Sequence, residues 1–340
     1  MKNKILATIS TKDRYDILSL AMQSVANQSL KPDKLIIFDD TDENNRIDLR
    51  GIDTYRHIFN LLNVKKIECE VLFGASKGQH YNHQIANRMN YEFVWRLDDD
   101  EVAENNVLEK LMSHMKSDVG AVAGAVILPG EEQPGGDNKI VNIFSSPNAQ
   151  WSTGNEVLSV EHLYSSFLYR AGITNYNLDL SPVAHREETL FTFSLFNKGY
   201  KLLVDKSIIT WHYRQKTGGI RSANNSWFYY HDDKIFLKKL EEYGYKFCCL
   251  DSGLGDHLAF SASALPRLLK KYKKVVIGCC YPQAFEEFND RVVCIPMHHL
   301  KELLPEDHIY KFLIDSNWKP GDGNLVEAYN KLYKVEGIKL

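Results

Sequence analysis

Apolar and polar positions alternate along this chain with two periods. Residues 4–10 (KILATIS), 34–38 (KLIIF), 69–73 (CEVLF) and 91–97 (YEFVWRL) are short apolar runs with the length of buried strands. Between the first two, Leu18, Met22 and Val25 recur at helical spacing and predict a helix over 15–27. After the third, a Gly74–Gly78 turn opens a helix to about residue 90. Strands alternating with helices predict a mostly parallel sheet with right-handed crossovers. The runs end on polar residues: Ser10 and Thr11, then Asp39 and Asp40, then Asp98, Asp99 and Asp100. In open α/β sheets the carboxyl ends of the strands form the ligand crevice, so these ends are where chemistry is expected.

Farther along, residues 129–140 hold Pro, Gly and acids and read as a surface loop. A helix near 187–198 stops at Gly199. Residues 201–213 are strand material ending in Trp211-His212-Tyr213, and 216–226 are polar and glycine-rich. The pattern predicts a first domain over 1–225, a linker helix over 226–245 and a small α/β domain over 246–340. In that last part, strands are expected at 246–250, 274–280 and 291–295, with one helix over 255–270. A chain of 340 residues is long for a single core, which agrees with two domains.

Composition narrows the class. The chain is 44% hydrophobic and 25% charged, with a net charge of -3, so it is no strongly basic body built for nonspecific nucleic-acid binding. No stretch reaches the ~18 apolar residues of a membrane span, and the apolar start is too short for a signal peptide. The six cysteines form no CxxC pair and read as reduced, buried thiols, the vicinal pairs Cys248-Cys249 and Cys279-Cys280 included. A cytoplasmic location is the expectation.

The strongest local signal is Arg96-Leu97-Asp98-Asp99-Asp100 at the end of an apolar strand. Residues two apart in extended chain point the same way, so Asp98 and Asp100 are expected on one face and Asp99 on the other. Two convergent carboxylates suit a hard divalent cation that bridges a diphosphate.

Six segments in order resemble glycosyltransferase family 2, of the GT-A fold, over about residues 4–220. They are Ala7-Thr8-Ile9-Ser10-Thr11-Lys12-Asp13-Arg14, Ile36-Ile37-Phe38-Asp39-Asp40-Thr41-Asp42, and Gly74-Ala75-Ser76-Lys77-Gly78 with Asn82. Asp98-Asp99-Asp100, Glu187-Glu188 heading a helix that stops at Lys198-Gly199-Tyr200-Lys201, and Trp211-His212 complete the set. The resemblance implies an α/β, Rossmann-like GT-A domain that binds a nucleotide sugar, with an inverting mechanism.

It also implies roles. Thr8, Ser10, Thr11, Arg14, Lys77 and Asn82 fall to donor binding. Asp39 or Asp40 would accept from the base imide, which favours a uracil or thymine donor. Asp98 and Asp100 would hold Mn²⁺ or Mg²⁺, with Asp98 also near the ribose, and His212 is a third candidate ligand. Lys77, Lys216 and Arg221 are candidates to neutralise the diphosphate, and the 214–222 loop to close over it. Glu188 is the first choice of general base, and Glu187 the second. Many relatives carry Glu-Asp where this chain has Glu-Glu, which leaves open which of the two acts.

In the second unit, Leu250-Asp251-Ser252-Gly253-Leu254-Gly255-Asp256-His257-Leu258 places a glycine turn between strand and helix. Residues 246–300 resemble the N-terminal half of heptosyltransferase-like family 9 enzymes of the GT-B fold. That resemblance marks Gly253, Gly255 and Asp256, the last as a base. No room remains for a GT-B donor domain, so acceptor binding, self-association into a homo-oligomer, or stability is the expected role. A glycan or lipid-linked sugar is the expected acceptor; a modified nucleobase hydroxyl in DNA is the less favoured one. Two rivals stand beside the transferase reading. A sugar-nucleotide pyrophosphorylase would carry glycine after its first strand, where this chain has Ser10-Thr11-Lys12-Asp13-Arg14. A degenerate binding protein would have lost its acids.

Overall fold

The computed structural model describes residues 4–74, 77–130, 148–220, 226–297 and 323–339. They form two compact units, Met1–Asp232 and Asp233–Leu340.

In the first unit β1 (Ile5–Thr11), β2 (Lys34–Asp39), β3 (Glu68–Phe73) and β4 (Phe93–Asp98) run parallel in the order β3-β2-β1-β4. Beyond them lie β5 (Glu101–Ala103), β6 (Val119–Ile127), β7 (Val157–Val160), β8 (Phe167–Arg170) and β9 (Lys201–His212). The sheet continues from β4 through antiparallel β8 to β6, β9 and β5, and β7 pairs with the first half of β9. Every residue of β1 is buried, as befits a strand with neighbours on both edges. Odd positions of β1 and β4 (Ile5, Ala7, Ile9; Phe93, Trp95, Leu97) join one core. Even positions (Leu6; Val94) join the other. The sheet is therefore covered on both faces, as strand alternation requires.

The first core is closed by α1 (Tyr15–Ala26), α2 (Asp53–Val64) and α4 (Val107–Ser113). The second lies against α3 (Gln79–Arg88) and α5 (Glu187–Asn197). α3 is polar yet buried, because its amides are spent on backbone. Gln84 accepts from Tyr176 N at 2.7 Å, and Asn87 donates to Thr174 O at 2.7 Å while accepting from Gly172 N at 3.0 Å. A bulge in β9 lets one long strand serve two partners, pairing with β7 before it and β5 after it. It crowds Gly124 of β6, where a Cβ would stand 2.3 Å from Ile208 O, so only glycine fits.

α6 (Ser226–Glu242) spans the division between the units. The second unit is a parallel sheet of β10 (Tyr245–Leu250), β11 (Lys274–Cys279) and β12 (Val292–Pro296) in that order. One face packs on α7 (Leu254–Ala262), α8 (Ala264–Lys271) and α9 (Leu325–Leu332) through Phe260, Leu265, Leu268 and Tyr329. The single helix expected over 255–270 is two. The chain breaks at Ser263, and Pro266, which lacks an N–H to continue the ladder, sits in the first turn of α8. Cys248, Cys249 and Cys279 are buried as expected, Cys69 and Cys294 only partly so, and Cys280 is exposed. It lies just past the end of β11, where the strand no longer covers its side chain.

Candidate functional site

The carboxyl ends of β1 and β4 lie side by side, Ser10 opposite Asp98. Beside them opens a cleft of about 270 Å³ lined by Ser10, Arg14, Gln79, Asp98, Asp100 and His212 among others. β4 ends at Asp98, and Asp99 and Asp100 form a turn. Strand alternation therefore stops one residue into the acidic run, and Asp99 lines the same cleft instead of facing away.

Arg14 is the hub of this end. One guanidinium nitrogen lies 3.0 Å from Asp99 and 3.2 Å from Asp100. The others donate to Thr217 O at 3.1 Å and Gln215 O at 2.8 Å. Asp99 also accepts from Thr11 Oγ1 at 2.7 Å, and burial pushes its carboxyl up to about 7 against the pull of Arg14. Asp100 is the opposite case. Burial would raise it, but the His212 hydrogen bond and the charges of His212 and Arg14 outweigh burial and hold it below the usual carboxylate range. His212 Nε2 stands 3.3 Å from Asp100. Burial disfavours its charge, yet Asp100 and Glu101 win and raise it to about 9.

Of the 214–222 loop expected to close over the donor, residues 214–220 are described, and they are latched onto this hub. Gln215 N donates to Asp100 at 2.8 Å and Gly219 N to Lys12 O at 2.7 Å. Gly218 and Gly219 permit the approach: a Cβ on either would fall within 2.7 Å of Asp13 or Arg14 atoms. Arg221 lies outside the described residues.

Arg96 links the acids of β4 to those of α5. It is wholly buried, 2.8 Å from Glu187, 3.4 Å from Glu188 and 3.6 Å from Asp98. Glu187 is also held by Gln79 Nε2 at 2.8 Å. Burial pushes the Glu187 carboxyl up and Arg96 opposes it. Glu188 is the less enclosed of the pair, its side chain 9% exposed against 0%. Five of the seven non-glycine residues with positive φ among those described flank this region: Asp13, Ser165, Ala184, Arg186 and Arg214. Such strain gathers where a surrounding structure over-determines side-chain placement.

The sequence candidates thus divide. Ser10, Arg14, Asp98, Asp100 and His212 meet in the cleft, and Glu187 and Glu188 are tied to it through Gln79 and Arg96. Asp39, Asp40, Thr8 and Asn82 are buried and do not line it. Asp39 accepts from Tyr15 Oη at 2.7 Å, and Asp40 from Asn82 Nδ2 at 2.9 Å. Lys77 is exposed, its ammonium 5.5 Å from the Tyr81 ring, and Lys216 is exposed as well. In the second unit Asp256 accepts from Gly253 N at 3.1 Å, closing the first turn of α7, and Gly255 has open space where a Cβ would sit.

Several site residues escaped the sequence reading. Arg96, a charge inside an apolar strand, and Glu101, directly after the acidic run, carried readable signals. Glu101 is buried, accepts from Asp98 N at 2.9 Å and from Ser165 Oγ, and burial then Asp98 push it up to about 8. Ser165 and Gln215 carried none, since only the fold brings them here.

Among the described residues, no three acidic, His or Cys side chains stand ready as a metal cluster. Asp98, Asp100 and His212, the expected metal ligands, line one cleft, with His212 paired to Asp100. No described helix is long and apolar enough to cross a membrane.

A family model described as Glycosyl transferase family 2 matches residues 7–197. No curated protein sequence matches the chain. Among solved structures, S. aureus TarS 1-349 in complex with UDP-GlcNAc aligns over 97% of this chain and 90% of its own, at 14% identity and TM-score 0.52. GalNAc-T7 with UDP, GalNAc and Mn²⁺ aligns over 90% of this chain and 57% of its own, at 13% identity and TM-score 0.52. Against the S. aureus TarS crystal structure, 61% of this chain aligns at 15% identity and TM-score 0.43, spanning only 36% of that chain. The two likenesses at TM-score 0.52 show the GT-A fold. The heptosyltransferase resemblance of 246–300 finds no counterpart among them.

Proposed function

Because the chain belongs to glycosyl transferase family 2, we propose that it moves a sugar from a nucleotide-diphosphate donor, a UDP-sugar first, to an acceptor hydroxyl with inversion. The observation that carries this is the joining of two acidic groups by one buried cation: Arg96 reaches Asp98 on one side and Glu187 and Glu188 on the other. Asp98, Asp100 and His212 would hold Mn²⁺ or Mg²⁺, whose charge stabilises the departing diphosphate. Ser10 and Arg14 line the same cleft and bind the donor there. Similar structures solved with UDP-GlcNAc, and with UDP and Mn²⁺, support that choice of ligands.

Glu188 takes the acceptor proton. Glu187 is clamped by Arg96 and Gln79 and serves to position its neighbour. A base must reach substrate, and Glu188 alone of the two keeps surface. The acceptor is a glycan or lipid-linked sugar. A thermal-shift and hydrolysis panel of nucleotide sugars with Mn²⁺ tests the reading, because a bound donor raises stability with the logarithm of its concentration over its dissociation constant. UDP-sugars should shift the melting point and release UDP. No shift with any nucleotide sugar would contradict the assignment.

A further inference from the structure

The segment from Leu163 to Ser166 is fastened at every residue. Leu163 N donates to Thr192 Oγ1 at 2.8 Å. Tyr164 exchanges two hydrogen bonds with the buried Gln150, its N donating at 3.0 Å and its O accepting at 2.9 Å. Ser165, at φ 59°, donates to Asp98 at 3.1 Å and bonds Glu101. Ser166 Oγ donates to Arg96 O at 3.1 Å. The backbone of Tyr164 is thereby tied to the acids of the site.

Tyr164 carries Trp151 with it. The two rings meet edge-on, centroids 5.9 Å apart at 82°, and Trp151 is 40% exposed. The Tyr164 hydroxyl has no hydrogen-bond partner among the described residues. Burial pushes that phenol well above its ordinary range, and the charge of Glu101 adds to it. The neighbouring Leu163 bonds Thr192 Oγ1, which in turn donates to Glu188 O at 2.8 Å, so the segment is tied to the base as well. An aromatic pair with one polar tip suits a ligand that has apolar C–H faces and hydroxyl edges. Asp98, bonded to this segment through Ser165, opposes a phosphate backbone and favours a neutral ligand.

We propose that Trp151 and Tyr164 form the acceptor subsite and that its occupant is a neutral saccharide, stacked on Trp151 with a hydroxyl on the Tyr164 phenol. The subsite rests on the glycosyltransferase reading. It presents the acceptor hydroxyl to Glu188 and needs nothing from the second unit.

The test uses the full chain saturated with UDP and Mn²⁺, probed by saturation-transfer NMR with cellobiose, maltose, lactose and N,N′-diacetylchitobiose. At least one disaccharide should receive saturation through its ring C–H protons. Trp151→Ala should weaken that binding about tenfold, the size of one aromatic contact, while Trp151→Phe keeps most of it. UDP affinity, measured by calorimetry on each variant, should not change, and it reports that the variant is folded. Equal saccharide binding by Trp151→Ala, or no disaccharide bound to the UDP-loaded wild type, would overturn the subsite and leave the donor site standing. Failure of the wild type to take UDP would contradict the UDP-sugar donor of the proposed function, not the subsite.

Discussion

Acids that follow β4 and β10, both parallel strands, are used differently in this protein. After β4, Asp98, Asp99 and Asp100 converge on a cleft with Arg14 and His212, in loops that carry strained residues. After β10, Asp256 reaches back to Gly253 N and closes the first turn of α7. The first arrangement holds several buried charges whose partners come from four separate parts of the chain. The second satisfies one backbone donor from three residues away, as a helix start commonly does. Both were read from the sequence as candidate functional acids. What separates them is long-range convergence, which only the first has.

Substitutions can break or sharpen this contrast. The largest effect belongs to Asp98→Ala and Asp100→Ala, each of which should abolish Mn²⁺-dependent hydrolysis of a UDP-sugar while circular dichroism stays native. Full hydrolysis in both would place the metal elsewhere.

Glu188→Gln should slow transfer by roughly 10²–10⁴-fold with donor affinity retained, the usual span for losing a positioned base. If single-turnover assays show that loss in Glu187→Gln instead, the two roles are exchanged.

Arg96→Met addresses the link between the acidic groups. Removing one partner of a buried charge cluster costs about 3–5 kcal/mol, so denaturant unfolding should show a loss of that order. A change below about 1 kcal/mol would mean that Glu187 and Glu188 do not depend on Arg96.

The smallest effect is expected in the second unit. Asp256→Ala removes a helix-end hydrogen bond and should cost about 0.5–2 kcal/mol, with donor hydrolysis unchanged. A large catalytic loss there would make the second acid functional and erase the contrast.

Much of the frame was legible. The four apolar runs became β1 to β4: β1, β2 and β4 are almost wholly buried and so must be continuously apolar, while the edge strand β3 is only partly buried. The acidic run stood out because strand ends mark the crevice, whereas His212 was marked only by the family resemblance. The inward turn of Asp99 was not legible, since alternation holds only while the strand lasts. Nor was Arg14 as a hub, because its partners lie 85 and 201 residues away. The burial of α3 also escaped, because a helix of His, Asn and Gln reads as surface until its amides find backbone partners.

The most direct measurement is calorimetric titration of UDP into the full chain, with Mn²⁺ and again with excess EDTA. The account predicts binding with the metal, and loss of it in EDTA and in Asp100→Ala. Equal affinity under all three conditions would contradict a metal-assisted donor site at the end of β4.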